Sequence, residues 1–258
     1  MIRRILIPLA YTLAFAMLLA VMGWAFVSGR NADGAIVCRG ISVDVREHRH
    51  ENFVSADEIS AAVTQKFGDQ RGRRIGDIDL ESIESFVDSR SAVLKSEAYT
   101  GRDSVLHISV TQRRPVLRLQ CGERGCYCDE RGKLFPLHGK TAARVPVVDG
   151  NLPVDIQTNG KPSTDRGAAW IDKMVNLAEF VDRSVWKGRI NQFRVDSRGD
   201  LTVYLKDCRE RFILGTPDDI EAKFDRIEAY FTCVKPSLPE GKTYSSVNVK
   251  FERQLVCR

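Results

Sequence analysis

The chain has 258 residues, of which 28% are charged and 43% hydrophobic, and its formal net charge is +5 at pH 7. These fractions allow one or two domains with packed cores. Acidic and basic residues are interspersed, and two short arginine clusters lack the regularly spaced aromatic residues that many nucleic-acid-binding surfaces carry. We therefore predict no nucleic-acid partner. The clusters, expected to be solvated or near lipid headgroups, are Arg71, Arg73 and Arg74, and Arg113 with Arg114.

An uncharged, apolar run covers residues 5–27. At about 1.5 Å per residue, a helix of this length can cross a hydrocarbon layer of about 30 Å. Arg3 and Arg4 precede the run, so the positive-inside rule predicts a cytoplasmic stub over 1–4 and places the rest of the chain outside the cytoplasm. A cleaved signal peptide, whose apolar core is usually shorter, and a buried core helix are the alternatives. The sequence thus predicts a single-pass transmembrane helix in contact with the lipid bilayer.

The next part, residues 34–114, has the pattern of a small domain with the order β-α-α-β-β. Alternation of apolar and polar residues indicates the strands, and apolar residues spaced as on one helix face indicate the helices. The predicted elements are a strand over 36–45, helices beginning after the capping box Ser55 to Glu58 and near Asp79, and strands over 92–99 and 104–112. Two helices can then cover one face of a three-stranded sheet.

Pro115 breaks the chain at a strand boundary, and residues 115–258 predict a second, strand-rich domain. The predicted strands cover 116–121, 127–129, 134–137, 145–150, 190–195, 201–205, 211–214 and 246–256. Thr164 caps a predicted helix that extends to about Ser184, and a last helix is predicted from Gly215 onward, with Pro217 in its first turn. A mixed sheet that carries helices follows, and the whole chain is predicted to be α+β.

Seven cysteines fit an oxidising compartment, and an odd number leaves at least one unpaired or paired between chains. Cys121 and Cys126 flank a short turn, which predicts either a hairpin disulfide or free structural thiols. The cluster could also supply zinc ligands together with Cys128 and His138, but it lacks the paired spacing of common zinc sites. We therefore predict no metal site.

No catalytic motif is present in the sequence. There is no phosphate-cradling glycine loop, no metalloprotease helix and no activated serine arrangement. His107 alternates with apolar residues and is expected on a sheet surface, while His48 and His50 are expected in a solvated loop. The sequence therefore predicts no enzyme and no cofactor, with an anchored thiol enzyme that uses Cys126 and Cys128 as an alternative.

Five local motifs occur in a fixed order behind the apolar run, and together they resemble the FtsQ/DivIB family of bacterial cell-division proteins. The first outer domain resembles a POTRA domain. In this sequence Asn248 and Lys250 replace the more usual aspartate and arginine of the closing strand. The segments that carry the resemblance are 110–115, 128–135, 145–150, Leu214-Gly215 with Lys223, and 247–251.

This resemblance implies a non-enzymatic scaffold in the inner membrane, with a periplasmic bulk and a place at the division septum. The POTRA domain would help to localise the protein, and the second domain would bind FtsB- and FtsL-like single-span partners and other divisome components. A POTRA-bearing protein-transport or barrel-assembly factor is the alternative.

The expected mode of binding is strand addition, in which a partner segment pairs with an exposed sheet edge. The last predicted strand is the expected edge, and its second half carries the family's partner contact by position. Alternatively, Phe251 and Leu255 belong to the core and the edge is covered. The implied partner-binding residues are Phe251, Glu252, Arg253, Gln254, Leu255 and Val256.

Overall fold

A computed structural model describes residues 15–24, 36–46, 53–137, 142–157 and 159–258. The described residues form two compact units. The first contains the residues up to Arg46 together with 54–111, and the second contains Phe53 and residues 112–258.

Residues 15–24 are helical, and all of their side chains are exposed. The remainder of the predicted transmembrane helix over 5–27 lies outside the described residues, as does the predicted stub over 1–4. None of the described helices combines the length and the apolarity that crossing a bilayer requires. The membrane crossing therefore stays a prediction.

The first unit has the predicted β-α-α-β-β order. Its elements are β1 (Gly40–Arg46), α1 (Ala56–Phe67), α2 (Leu80–Asp88), β2 (Val93–Thr100) and β3 (Val105–Gln112). The sheet has the strand order β1-β3-β2, and β1 runs parallel to β3. The buried residues of α1 and α2 and every second residue of β3 form the core; they include Ile59, Val63, Ile83, Val87, Leu106, Ile108 and Val110.

Both helices of the first unit begin at a side-chain cap, Ser55 as the sequence predicts and Asp79 at the predicted helix start. The Ser55 hydroxyl accepts a hydrogen bond from the backbone N–H of Glu58 at 3.1 Å. Asp79 Oδ1 accepts from the backbone N–H of Ser82 at 3.0 Å. Each cap satisfies an amide that has no partner inside its helix, which fixes where the helix starts.

The first strand begins later than predicted, at Gly40 rather than at residue 36. The preceding residues pair with the loop after α1 instead of extending the sheet. The Cys38 N–H donates to Arg73 O at 2.8 Å, and the Gly72 N–H donates to Cys38 O at 2.8 Å. Alternation of apolar residues alone cannot reveal that this pairing partner is a loop 34 residues away.

The second unit is built on a nine-stranded mixed sheet with the order β12-β11-β10-β9-β8-β7-β4-β5-β6. Its strands are β4 (Pro115–Cys121), β5 (Arg124–Asp129), β6 (Leu134–Pro136), β7 (Val147–Gly150), β8 (Ile190–Val195), β9 (Leu201–Leu205), β10 (Arg211–Gly215), β11 (Ser246–Asn248) and β12 (Val256–Cys257). Its long helices are α3 (Asp165–Arg183) and α4 (Ile220–Ala229). The pairings β4–β7 and β7–β8 are parallel. Through them β7 joins one half of the sheet, β8 to β12, to the other half, β4 to β6.

Helices α3 and α4 supply much of the core of the second unit. The Thr164 hydroxyl accepts from the Gly167 N–H at 3.1 Å and caps α3, as the sequence predicts. The aromatic rings of Trp186 and Phe224 meet edge-on with centroids 5.3 Å apart, and Phe212 packs against Tyr230 in the same way at 5.5 Å. These contacts fix α4 and the segment after it against the sheet.

Helix α4 begins at Ile220, three residues after the predicted first-turn proline, Pro217. Asp219 precedes the helix with a left-handed φ of +49°, and its side chain makes no capping hydrogen bond. Instead, Lys223 Nζ reaches back from the helix and donates to the carbonyl oxygen of Thr216 at 2.8 Å. This contact between the Lys223 side chain and the Thr216 backbone holds the connection in a shape that the capping signals do not predict.

Candidate partner-binding edge

The predicted partner-binding residues 251–256 do not continue a long strand. β11 ends at Asn248, residues 251–253 form a turn, and β12 returns antiparallel to β11 with Val256 opposite Asn248. The predicted strand over 246–256 is therefore wrong beyond Asn248. The sheet ends in a short hairpin instead.

Two local features turn the chain after β11. Asn248 Oδ1 accepts a hydrogen bond from the backbone N–H of Lys250 at 2.9 Å, which offers the backbone an alternative to a strand. Arg253 then adopts a φ of +55°, in the left-handed region where few residues with a side chain are found. Together they bring Val256 back beside Asn248.

The turn is held against the rest of the second unit by two cations. Lys250 Nζ contacts both carboxylate oxygens of Asp200, at 2.8 and 3.0 Å. Arg226 Nε donates to the carbonyl oxygen of Val249 at 3.0 Å. The Lys250 stem lies over Gly215, where a Cβ would come within 2.8 Å of Lys250 Cδ. The hairpin is therefore positioned by Asp200 before β9, by the backbone of Gly215 in β10 and by Arg226 of α4.

The backbone of β12 uses only half of its hydrogen-bonding groups within the sheet. The N–H groups of Arg258 and Ser246 each donate to the carbonyl oxygen of the other residue, at 3.0 and 3.1 Å. Because paired and unpaired residues alternate in an antiparallel ladder, the amides of Leu255 and Cys257 point away from β11. The sequence analysis did not include Cys257 and Arg258 in the candidate edge. The alternation of Leu255 and Cys257 with Val256 was the signal that could have extended the predicted edge to these residues.

Two of the three large hydrophobic residues that are exposed among the described residues of the second unit lie in or just before β12. Phe251 is 45% exposed and Val256 is 37% exposed, and Val185 is the other large hydrophobic residue exposed among the described residues of the second unit. Leu255 and Cys257 are partly buried against the core. Glu252, Arg253 and Gln254 are exposed. The predicted alternative, in which Phe251 and Leu255 both lie in the core, therefore holds in part for Leu255 but not for Phe251.

The opposite end of the nine-stranded sheet is closed by a chain segment. Leu134 in β6 exchanges two backbone hydrogen bonds with Gly160, at 2.7 and 2.9 Å. Within the described residues, β12 has no such neighbour on its outer side. Among the described residues, β12 is therefore the end strand of this sheet whose outer side has no paired segment.

Comparison with known families identifies the class of protein to which this arrangement belongs. A family model described as FtsQ/DivIB, C-terminal related matches residues 114–258, more than half of the chain. The chain belongs to the FtsQ/DivIB family. A model of a POTRA-like domain matches residues 36–111, so the resemblance seen in the sequence is confirmed. No curated protein is similar enough to count as a relative.

Membership of the FtsQ/DivIB family supports a scaffold role in cell division. The family is a non-enzymatic one, and it implies a place at the division site and partners among the divisome proteins. The POTRA-like domain and the large mixed sheet with its helices agree with the predicted α+β fold class.

A buried carboxylate ties the segment after α4 to the start of β10 in this FtsQ/DivIB protein. Glu210 is 1% exposed, and its Oε1 accepts from Tyr230 Oη at 2.9 Å and lies 3.0 Å from Lys235 Nζ. The Cys208 thiol donates to Glu210 Oε2 at 2.7 Å. Burial opposes ionisation, but these hydrogen bonds outweigh it and lower the pKa of Glu210 to about 2. No local sequence signal predicts this cluster.

We expect the stability of the second unit to depend on Glu210 between about pH 5 and pH 2. Its pKa falls from an ordinary 4.5 to about 2 on folding, so its contribution is complete above the unfolded pKa and disappears as pH falls through the folded pKa. The difference corresponds to about 3 kcal/mol. Urea unfolding followed by tryptophan fluorescence at a series of pH values should show a smaller acid loss in Glu210→Gln. The exposed Glu240→Gln is the control, and an equal acid loss in both variants would contradict the assignment.

The described cysteines all carry free thiols. Cys121 is exposed and lies opposite Arg124, while Cys126 is buried opposite Leu119. Burial raises the pKa of Cys126 to about 12 and raises the pKa of Cys128 further. Both thiols are therefore protonated at neutral pH, which disfavours the alternative of a reactive thiol site. The disulfide between Cys121 and Cys126 stays a prediction.

The candidate zinc ligands Cys121, Cys126, Cys128 and His138 are only partly described, because His138 lies outside the described residues. Among the residues that the structure does describe, no three histidine, cysteine or acidic side chains come together as a metal site would require. His107 lies on the sheet surface as predicted, stacked on Tyr99 with ring centroids 5.2 Å apart. His48 and His50 also lie outside the described residues.

Proposed function

We propose that the chain is a membrane-anchored, non-enzymatic scaffold of the divisome that binds FtsB- and FtsL-like single-span partners outside the cytoplasm. In this proposal residues 1–4 are the cytoplasmic stub, 5–27 cross the inner membrane, 34–114 form the POTRA-like domain and 115–258 form the partner-binding domain. Binding gathers these partners at the septum and helps to regulate cell-wall synthesis there.

The observation that carries the proposal is the open edge of the nine-stranded sheet at β12. A partner strand beside β12 would find the outward amide and carbonyl groups of Leu255 and Cys257. The Val256 side chain, which projects to the opposite face of the sheet from these two residues, would contact side chains of the partner strand on that face. Phe251 would add an exposed aromatic anchor next to the new strand.

Charged and polar side chains beside β12 would make strand pairing at this edge selective for a complementary partner. Glu252, Arg253 and Gln254 are exposed in the turn that precedes β12. Charge at an edge strand opposes indiscriminate pairing with other chains. The edge itself is only two residues long, which also disfavours self-association.

The helical segment 15–24 supports the anchoring part of the proposal. Phe15, Leu18, Met22 and Trp24 are all more than half exposed. A helix that is apolar on every face is characteristic of a buried or membrane-inserted segment. Its neighbours in the uncharged run over 5–27 would extend it to the length that a bilayer requires.

We expect Cys257→Pro to weaken partner binding about tenfold or more. Proline removes an N–H that points away from β11, so it deletes a donor offered to the partner while the bonds within the hairpin remain. The matched control is Cys257→Ala, which loses the same thiol but keeps the N–H. Binding of both full-length variants to co-expressed single-span partners is compared by pull-down and by dissociation constants.

Two further observations make this test decisive. Unfolding midpoints followed by tryptophan fluorescence should be similar in both variants, which shows that the proline leaves the domain folded. Equal binding by the proline and alanine variants would show that the partner does not use this edge. A tagged chain that spreads uniformly through the envelope with outer-membrane barrel components would favour the transport alternative.

A further inference from the structure

The first unit carries a small two-stranded ribbon outside its main sheet. Residues 36–38 pair with residues 72–75 through the Val37–Arg74 bridge, and the Ile75 N–H donates to Ile36 O at 3.0 Å. We call these two segments, together with the adjoining Arg39 and Arg71, the basic ribbon. The pairing brings the segment that carries Arg39 to the loop that carries Arg71, Arg73 and Arg74, and all four arginines are exposed.

The loop that carries three of these arginines is held in a defined shape. Gln70 is 1% exposed, and its Nε2 donates to the carbonyl oxygens of Phe67 and Gly68 at 3.1 and 2.9 Å. Arg73 Nη1 donates to Gln70 Oε1 at 3.3 Å. Asp69 Oδ1 accepts a hydrogen bond from the backbone N–H of Arg71 at 3.0 Å. The arginines are therefore presented by an ordered loop.

The positive charge of the ribbon is not neutralised by carboxylates. Within the described residues, none of its four arginines forms an ion pair, and the contacts of Arg73 are with neutral oxygens. Asp69 and Asp77 are the acidic residues nearest in sequence to the loop arginines. Four guanidinium groups that form no ion pair among the described residues present positive charge that can bind phosphate groups in a forked geometry.

The ribbon also exposes aliphatic surface beside this charge. Ile36 is 44% exposed and Val37 is 47% exposed. Among the described residues of the first unit beyond 15–24, Tyr99 is the other exposed large hydrophobic residue. A surface that combines arginines with exposed aliphatic side chains suits the boundary between headgroups and acyl chains.

We propose that the basic ribbon docks on the anionic phospholipid headgroups of the bilayer that anchors the chain. The inference rests on the proposed transmembrane helix. Residues 28–35 are all that separates the apolar run from Ile36, and eight residues span at most about 29 Å. The ribbon is thus within reach of the membrane surface. Its arginines bind the headgroup phosphates, and Ile36 and Val37 enter the interface.

The test compares full-length protein in nanodiscs of phosphatidylcholine alone with protein in nanodiscs that also contain phosphatidylglycerol. Arginine-specific dicarbonyl labelling, read by mass spectrometry, reports how accessible each guanidinium is. We expect the ribbon arginines to be labelled about tenfold more slowly in the anionic nanodiscs at low salt, and the difference to vanish at high salt. The exposed Arg194, Arg198 and Arg209 of the second unit serve as controls in the same molecule and should change less than about twofold.

The triple variant Arg71→Gln, Arg73→Gln and Arg74→Gln completes the test. In this variant the remaining Arg39 should be labelled at the same rate in both kinds of nanodisc, because the surface has lost most of its charge. Equal labelling of the native ribbon in both lipids would overturn the proposal and would leave the ribbon to an acidic protein partner. A chain that does not enter nanodiscs would contradict the anchoring itself, which distinguishes the two failures.

Discussion

Asp129→Ala is expected to lower the free energy of unfolding of the second unit by about 3–5 kcal/mol. Asp129 is 1% exposed and Arg113 is 8% exposed, and Arg113 Nη1 donates to Asp129 Oδ2 at 2.7 Å. The other carboxylate oxygen accepts from the N–H groups of Arg131 and Lys133, at 2.9 and 2.8 Å. Alanine removes all three interactions, including the buried charge pair with Arg113.

Urea unfolding of the full-length protein, followed by tryptophan fluorescence, measures this loss, because Trp170 and the buried Trp186 both lie in the second unit. The matched control is Glu179→Ala on α3, which removes a surface pair with Arg183 whose partners are 40% and 79% exposed. That change should cost no more than about 0.5 kcal/mol. A similar loss in both variants would show that the buried pair contributes no more than a surface pair.

The Asp129 contacts explain the hairpin motif that the sequence shares with its family. The carboxylate closes the turn between β5 and β6, and Gly132 adopts a φ of +72° within that turn. A Cβ at Gly132 would meet Ile171 Cγ2 of α3 at 3.2 Å. Phe135 is buried and packs against Tyr127 with ring centroids 5.6 Å apart. The spaced residues of the motif thus serve one turn and its attachment to the core.

Elements with strong local signals were predictable from the sequence. The caps at Ser55, Asp79 and Thr164 fix three helix starts, because each uses atoms only three residues apart. The strands β8 and β9 were also predicted, because apolar and polar residues alternate on both sides of a short turn. These elements depend on short-range chemistry that a sequence displays directly.

The candidate edge was predictable in place but not in shape. Val247, Val249 and Phe251 continue a perfect alternation, so the sequence indicates one long strand. The structure instead turns after Asn248, whose side chain accepts a hydrogen bond from the Lys250 N–H, and the Lys250 side chain holds this turn against Asp200, which lies 50 residues away. The basic ribbon likewise depends on pairing between residues 36–38 and 72–75. Contacts of this range are set by the whole fold and leave no periodic signal.

Gly150→Ala is expected to destabilise the second unit by about 3 kcal/mol or more, through backbone strain and a steric clash. Gly150 has a φ of +95°, and a Cβ there would overlap the carbonyl oxygen of Val195. That carbonyl already accepts a hydrogen bond from the Asn151 N–H at 2.9 Å. Because Gly150 pairs with Val195 where β7 meets β8, the clash falls at the junction between the two halves of the nine-stranded sheet.

The control for this change is Gly199→Ala, at a residue with a similar φ of +86° but with open space where the Cβ would lie. It carries the backbone cost alone, about 1 kcal/mol. Urea unfolding followed by tryptophan fluorescence gives the difference in stability between the two variants. Because β12 is carried by the half of the sheet that begins at β8, Gly150→Ala should also weaken partner capture at temperatures where the domain starts to unfold. Equal stabilities for the two variants would show that the sheet relaxes around residue 150 and that the junction is not rigid.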